Sequence, residues 1–254
     1  MALANLRKLI TPQADGGVKQ ASITIDGRLV PVTFRRNGRA RRIIMRIDRK
    51  GEGVTLTLPP GIGRDAALKF AIDHASWIRT HLGKRIDRVP FAEGALIPVR
   101  GTLHLIDHRT NERGTVWTEE HDSERPPRLC VAGEEPHVAR RVRDWLKRQA
   151  REDLTKACAH YADEMGLSFK RLSVRDQSSR WGSCSSSGSL SFSWRLILAP
   201  AQVLDYVAVH EVAHLKEMNH SARFWKLVED YCAHTGSSRQ WLKKNGSQLH
   251  RYGD

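Results

Sequence analysis

The sequence predicts an α+β fold in which a β-rich N-terminal region, residues 1–136, precedes a helix-rich domain, residues 137–254. Three observations carry this prediction. Short β-branched and aromatic runs bounded by glycine and proline fill much of the first region. Apolar residues recur at helical spacing in the second. One segment, residues 190–198, alternates apolar and polar side chains, which is the period of a half-buried strand.

The N-terminal region is predicted to form strands, one helix and a second hairpin. The predicted strands occupy residues 21–26, 29–36, 42–47 and 54–58. Apolar residues at helical spacing predict a helix over residues 65–82. Residues 94–106 are typical of a hairpin that turns at Gly101. The polar stretch of residues 110–136 is interpreted as a loop with room for two short strands.

The C-terminal domain begins with an apolar stripe over residues 138–165, which predicts a long helix that stops at Gly166. A short strand over residues 172–175 follows. The alternating strand of residues 190–198 is ended by Pro200. Two further helices are predicted over residues 201–218 and 221–232.

Composition narrows the class of protein. The chain has 254 residues and a net charge of +14, from 42 Lys and Arg against 28 Asp and Glu. No apolar run approaches the roughly 20 residues of a membrane-spanning helix. The N-terminus lacks the pattern of a secretory signal. Its four cysteines form no C-x-x-C pair, so we expect a cytoplasmic protein with no membrane association and no disulfide framework.

The positive charge is concentrated in one run. Residues 35–50 hold eight basic side chains against one acid, Asp48. Such a run can bind the phosphates of nucleic acid, with Arg39, Arg41 and Arg42 as the candidate contacts. A solvated strand face in a basic protein accounts for the same pattern, because charge alone does not identify a ligand.

The strongest chemical signal is the H-E-x-x-H motif formed by His210, Glu211 and His214. On a helix, the two histidines lie one turn apart on one face, where both imidazoles can reach one Zn²⁺. Glu211 is rotated away from the ligand line and is placed to act as a general base toward water. Apolar neighbours indicate that this helix is largely buried, where unpartnered histidines would be costly.

A third ligand is needed to complete a catalytic zinc site. His220 can converge on the same metal if the chain reverses after the helix, which Asn219 permits and which Ser221 would follow by capping the next helix. The fourth position would then be left for water, with one Zn²⁺ per chain. A downstream carboxylate, Glu229 or Asp230, is the alternative third ligand.

Several segments together resemble the YgjP-like metallopeptidase family, which is itself similar to the SprT-like and WLM-type peptidases. The segments are Arg180–Cys184, Ser193–Pro200, Asp205–Leu215, Asn219–Trp225 and, near the N-terminus, Leu56–Gly61. The resemblance implies a zincin-like catalytic domain over residues 137–254. It also implies one Zn²⁺ at His210, His214 and His220, with Glu211 as the catalytic acid and base.

The expected activity is hydrolysis of peptide bonds in a protein or peptide substrate. Candidate substrate-binding side chains are Arg180, Arg195 and Tyr206, and the strand of residues 190–198 offers an edge for an extended peptide. One alternative is a zinc-dependent nucleotide phosphohydrolase, although the chain has no phosphate-cradling glycine loop. Another is a nucleic-acid-associated binding protein that uses the basic run of residues 35–50.

Overall fold

The fold is given by a computed structural model, which describes residues 10–11, 20–48, 51–82, 88–120 and 125–253. The chain divides into two compact units, Met1–Ile86 and Asp87–Asp254, each with its own apolar core. This division lies fifty residues before the boundary expected after residue 136. The reason is that the strands between residues 96 and 132 share one core with the long helix that follows them.

The first unit is built on a five-stranded sheet. Its strands are β1 (Ile10–Thr11), β2 (Gln20–Ile25), β3 (Arg28–Arg36), β4 (Ile44–Ile47) and β5 (Val54–Leu58), in the order β1-β2-β3-β5-β4. The predicted first hairpin is confirmed as β2 and β3, which pair antiparallel. Its turn places Asp26 and Gly27 at φ of 50° and 75°. This left-handed conformation suits glycine and is tolerated by aspartate.

The helix predicted over residues 65–82 is interrupted. It forms as α1 (Arg64–Asp73) and α2 (Ala75–His81), with His74 between them at φ −105° and ψ 25°. The His74 ring nitrogen Nδ1 lies 2.8 Å from the Phe70 carbonyl oxygen. This contact engages a carbonyl of the last helical turn at the break, and apolar periodicity does not reveal it.

The second unit begins with a four-stranded sheet. Its strands are β6 (Leu96–Val99), β7 (Thr102–Arg109), β8 (Val116–Glu119) and β9 (Arg128–Ala132), in the order β6-β7-β9-β8. The hairpin predicted to turn at Gly101 is confirmed, with Arg100 and Gly101 both at positive φ. The polar stretch of residues 110–136 supplies both β8 and β9, and residues 129–132 of β9 are fully buried.

A long helix and a small sheet form the frame of the second unit. Helix α3 (Val138–Glu164) ends before Gly166, whose φ of 63° makes it the predicted stop. The sheet contains β10 (Arg171–Arg175), β11 (Gly182–Cys184) and β12 (Ser189–Ser193), in the order β10-β12-β11. Strand β12 therefore has a partner on both sides, parallel to β10 and antiparallel to β11.

The strand predicted over residues 190–198 is correct only to Ser193. Residues Trp194–Leu198 form a 3₁₀ helix, which the Ser193 hydroxyl caps by accepting a hydrogen bond from the Arg195 backbone N–H. Because β12 is the central strand, its backbone has no open edge for a peptide. The expected edge pairing at this strand is therefore wrong, and β11 is the edge strand beside it.

Three helices complete the unit: α4 (Ala201–Ala213), α5 (Ala222–Tyr231) and α6 (Thr235–Asn245), followed by a 3₁₀ helix at Gly246–Arg251. Helix α4 ends five residues before the predicted end at residue 218, at the motif itself. The predicted cap is confirmed, because the Ser221 hydroxyl accepts a hydrogen bond from the Phe224 backbone N–H at 3.4 Å. Among the described residues, no helix combines the length and the apolar character needed to cross a membrane.

Candidate metal centre

Helix α4 carries the H-E-x-x-H motif through the core of the second unit. Its residues are buried on nearly every side, which follows from the apolar run around the motif. His210 lies in its last turn and His214 is its C-cap residue, 9 % exposed. Burial of this helix fixes both imidazoles against the body of the domain.

His220 reaches the same point from the turn between α4 and α5. Its Nε2 lies 3.1 Å from Nε2 of His210, and one ring nitrogen from each of the three histidines lies within 4.8 Å of the other two. Two imidazole nitrogens that ligate one tetrahedral Zn²⁺ at about 2.1 Å would be about 3.4 Å apart. The donor set and its spacing therefore fit a zinc ion.

The remaining ring nitrogens of the two helix histidines have partners of their own. Nδ1 of His214 lies 3.0 Å from the Glu217 carbonyl oxygen, and Nδ1 of His210 lies 3.5 Å from the Tyr206 hydroxyl. A hydrogen bond at Nδ1 fixes the ring orientation and leaves Nε2 to the metal. These two contacts would therefore hold the rings of His210 and His214 in the orientation that a bound metal needs.

Burial favours the neutral form of the two helix histidines, His210 and His214. Burial lowers the pKa of His210 to about 3, helped by the neighbouring His214 and His220. Burial also lowers the pKa of His214, against the opposing effect of its hydrogen bond to the Glu217 backbone. Neutral imidazole is the form that binds a metal ion, so the environment favours ligation.

Two aromatic residues of α5 pack around the three imidazoles. Phe224 is fully buried and stacks on His214 at a centroid distance of 4.4 Å, while Trp225 stacks on the exposed His220 at 5.6 Å. The aromatic contact supports His220, the one member of the three that lies outside the core.

Glu211 lies under strand β11. Its side chain is 5 % exposed, and a Cβ added at Gly182 would lie 2.5 Å from its Oε1. Burial raises the pKa of Glu211 to about 7, while the charge of Arg180 and the Cys184 backbone N–H act in the opposite direction. A carboxyl group with a pKa near neutrality can both accept and return a proton.

The three candidate substrate-binding side chains have different environments. Arg195 is buried and fully engaged: it pairs with Asp176 at 2.9 Å and donates to the carbonyl oxygens of Leu249 and Tyr252. This engagement indicates a structural role, and substrate binding by Arg195 stays a prediction that the geometry disfavours. Tyr206 is also buried and contacts the Nδ1 side of His210, away from Nε2.

Arg180 is the exposed member of the three. It makes no ion pair with any described residue, and its charge acts on Glu211. A groove of about 400 Å³ runs beside it along the small sheet, lined by serines and by Arg171 and Arg175 of β10. A substrate-binding role for Arg180 stays a prediction that this geometry favours.

The alternative ligands are outside the three-histidine group, and the basic run belongs to the other unit. Glu229 and Asp230 are exposed on α5, and neither belongs to a cluster of potential metal ligands among the described residues. Arg39, Arg41 and Arg42 are exposed in the first unit. Residues 49 and 50, which end the basic run, lie outside the described part of the chain.

Sequence reasoning missed the contacts that set the environment of Glu211. Gly182 and the Cys184 backbone N–H approach it from a strand whose residues are about thirty positions away. The sequence contained one signal of this contact, because a glycine in a short strand often marks a place where another group comes close to the backbone. Here the approaching group is the carboxylate of Glu211.

Comparison with known proteins gives the family. The model of the YgjP-like metallopeptidase domain matches residues 41–245. Among solved structures, the chain is similar to the metallopeptidase zymogen abylysin of Pyrococcus abyssi, at 21% identity and a TM-score of 0.33 over 40% of this chain and 99% of that one. No curated protein matches. The family match spans most of the chain, and the fold is the α+β, zincin-like one expected. The chain belongs to the YgjP-like metallopeptidase family.

Proposed function

We propose that this metallopeptidase-family chain is a zinc-dependent peptidase that holds one Zn²⁺ at His210, His214 and His220. The observation that carries the proposal is the convergence of three imidazoles next to a buried carboxyl group, Glu211. The donor chemistry supports zinc, since three histidines with an open fourth position are typical of catalytic zinc sites.

Glu211 is the proposed general base and acid. When bound, Zn²⁺ supplies Lewis-acid chemistry and makes water acidic enough to ionise near neutral pH. Glu211 takes the proton of the attacking water and later delivers it to the amine that leaves. A pKa near 7 suits both steps, because the group changes protonation state at little cost.

The substrate is proposed to lie along β11. This strand is at the edge of its sheet, and its Gly182 approaches Glu211. An extended peptide can pair with an open strand edge through backbone hydrogen bonds. Arg180, exposed at the same end, is the proposed contact for a carbonyl oxygen of the substrate that gains negative charge.

The test is Glu211→Gln, measured on one preparation for zinc content, melting temperature and hydrolysis of a peptide library. We expect zinc and fold to be retained and the rate to fall by roughly 10²- to 10⁴-fold, the usual cost of losing a general base. Glu217→Gln is the matched control, because Glu217 supports His214 only through its backbone carbonyl. Wild-type hydrolysis by Glu211→Gln would refute the assignment.

The same preparation is assayed with nucleoside triphosphates. If the protein turns over nucleoside triphosphates but not peptides, and Glu211→Gln abolishes that turnover, the result would identify a phosphohydrolase instead of a peptidase. The metal assignment would then survive and the substrate class would not.

A nucleic acid is proposed as an additional partner of the first unit. Arg39, Arg41 and Arg42 are exposed, and none makes an ion pair with a described residue. An unpaired basic surface binds phosphates by releasing counterions. All four cysteines are free thiols, which supports the proposed cytoplasmic location.

A further inference from the structure

A second group of potential metal ligands lies in the second unit. Asp205, Cys232 and His234 each present one donor atom, and these three atoms lie within 4.8 Å of one another. Asp205 is on α4, whereas Cys232 and His234 lie in the short connection between α5 and α6. The group therefore joins the helix of the H-E-x-x-H motif to the chain that follows it.

The imidazole of His234 is aimed into this group without a hydrogen bond. Its Nε2 is buried and has no hydrogen-bond partner, although Oδ2 of Asp205 lies only 3.3 Å away. Two polar atoms that lie close without hydrogen-bond geometry can instead direct their lone pairs at a common point. A buried polar atom without a partner is costly, and a metal ion at that point would remove the cost.

The surroundings orient the other two donors. The Tyr161 hydroxyl donates to Oδ2 of Asp205 at 2.6 Å, which is the kind of contact that fixes a ligating carboxylate. The backbone N–H of His234 donates to the sulfur of Cys232. Cys232 is 2 % exposed, while the side chains of Asp205 and His234 are each 31 % exposed.

We propose that Asp205, Cys232 and His234 form a second Zn²⁺ site, separate from the three-histidine centre. Sulfur, nitrogen and carboxylate oxygen are the ligands zinc uses in proteins. One thiolate and one carboxylate would neutralise the ion. On binding, the Cys232 thiol would lose its proton to water and ligate the ion as a thiolate. This inference does not rest on the proposed peptidase activity.

The test uses apo-protein reloaded with Zn²⁺ and, separately, with Co²⁺. Wild type is expected to bind two zinc ions per chain, and each of Cys232→Ala and His220→Ala one. A cobalt thiolate gives a near-ultraviolet charge-transfer band that a three-histidine site cannot give. The band is expected in wild type and in His220→Ala, and is expected to disappear in Cys232→Ala. Asp205→Asn, which keeps the side-chain shape, should weaken cobalt binding at this site at least tenfold.

Cys158→Ala and Cys184→Ala are the matched controls. Cys158 is equally buried and belongs to neither group of potential ligands, and Cys184 lies beside Glu211. Both variants should keep the band. A wild-type protein that binds one metal and shows no thiolate band would overturn the proposal, and so would a band lost in Cys184→Ala rather than in Cys232→Ala. A wild-type spectrum without the band overturns the proposal even if the Cys232→Ala protein fails to fold.

Discussion

Gly182→Ala is a demanding test of the position of Glu211. A Cβ at residue 182 would lie 2.5 Å from Oε1 and 2.6 Å from Cγ of Glu211. Carbon atoms in contact are about 3.5 to 4.0 Å apart, so the added methyl group must displace the Glu211 side chain by about 1 Å. The backbone of Gly182 is not in the left-handed region, so alanine introduces no backbone strain.

The size of the effect follows from the displacement. A misplacement of about 1 Å in a catalytic group costs roughly 10²-fold in rate, which corresponds to about 2.7 kcal/mol of barrier. Zinc content should be unchanged, because the methyl group contacts the base and not the histidines. The assay is peptide hydrolysis with metal analysis and melting temperature on the same preparation.

Gly236→Ala is the matched control for this variant. A Cβ at Gly236 meets no atom within 4 Å, and alanine suits a helix better than glycine, so activity and fold should be retained. A Gly182→Ala protein with full zinc and wild-type hydrolysis would show that the observed position of Glu211 is not needed. The argument that Glu211 acts from beneath β11 would then fail.

Three further variants test the structural and binding assignments. Arg195→Ala should lower the free energy of unfolding by about 2 to 4 kcal/mol in denaturant titrations, because two backbone carbonyls lose their donor. Glutamate at Arg39, Arg41 and Arg42 together should weaken DNA binding at every sequence and flatten its salt dependence in titrations. Hydrogen bonds from Arg109 hold the pKa of Glu119 at about 2. Glu119→Gln removes this interaction and should lower the melting temperature above pH 5. That deficit should shrink as the pH falls from 4.5 toward 2, where Glu119 takes up a proton.

Each of these three predictions has an outcome that would contradict it. Arg171→Ala, an exposed change, should stay within about 0.5 kcal/mol of wild type, and an equal loss in both variants would remove the special role of Arg195. If DNA binding is absent or insensitive to salt, the basic run is a solvated surface and not a nucleic-acid contact. A loss of melting temperature in Glu119→Gln that becomes larger as the pH falls would contradict the expected pH dependence.

Local sequence signals predicted much of the second unit. The apolar stripe predicted α3, because apolar residues at helical spacing indicate a helix with one buried face. The cap at Ser221 and the stop at Gly166 were predictable because each depends on the chemistry of one residue. The spacing of the three histidines also predicted their convergence, because the turn after α4 needed only a short reversal of the chain.

Contacts between distant residues could not be predicted in this way. The sequence did not reveal that Arg195 is engaged within the fold, because two of its partners, the carbonyl groups of Leu249 and Tyr252, are more than fifty residues away. The expected strand ended early because a hydroxyl at Ser193 capped a 3₁₀ turn, which an alternating pattern does not encode. The side chains of Asp205, Cys232 and His234 come together only when α4 packs against the chain that follows α5.

The buried guanidinium of Arg195 also sets an order of events during synthesis. A ribosome delivers Arg195 54 residues before Leu249 and 57 before Tyr252, whose carbonyl oxygens it needs. All three histidines of the metal centre are made before those carbonyls. A nascent chain stopped between residues 220 and 249 would thus carry all three histidines, while the Arg195 guanidinium, paired with Asp176, would lack both of its carbonyl acceptors. We expect such a chain to stay unfolded, so that hydrolytic activity begins only after the second unit has closed.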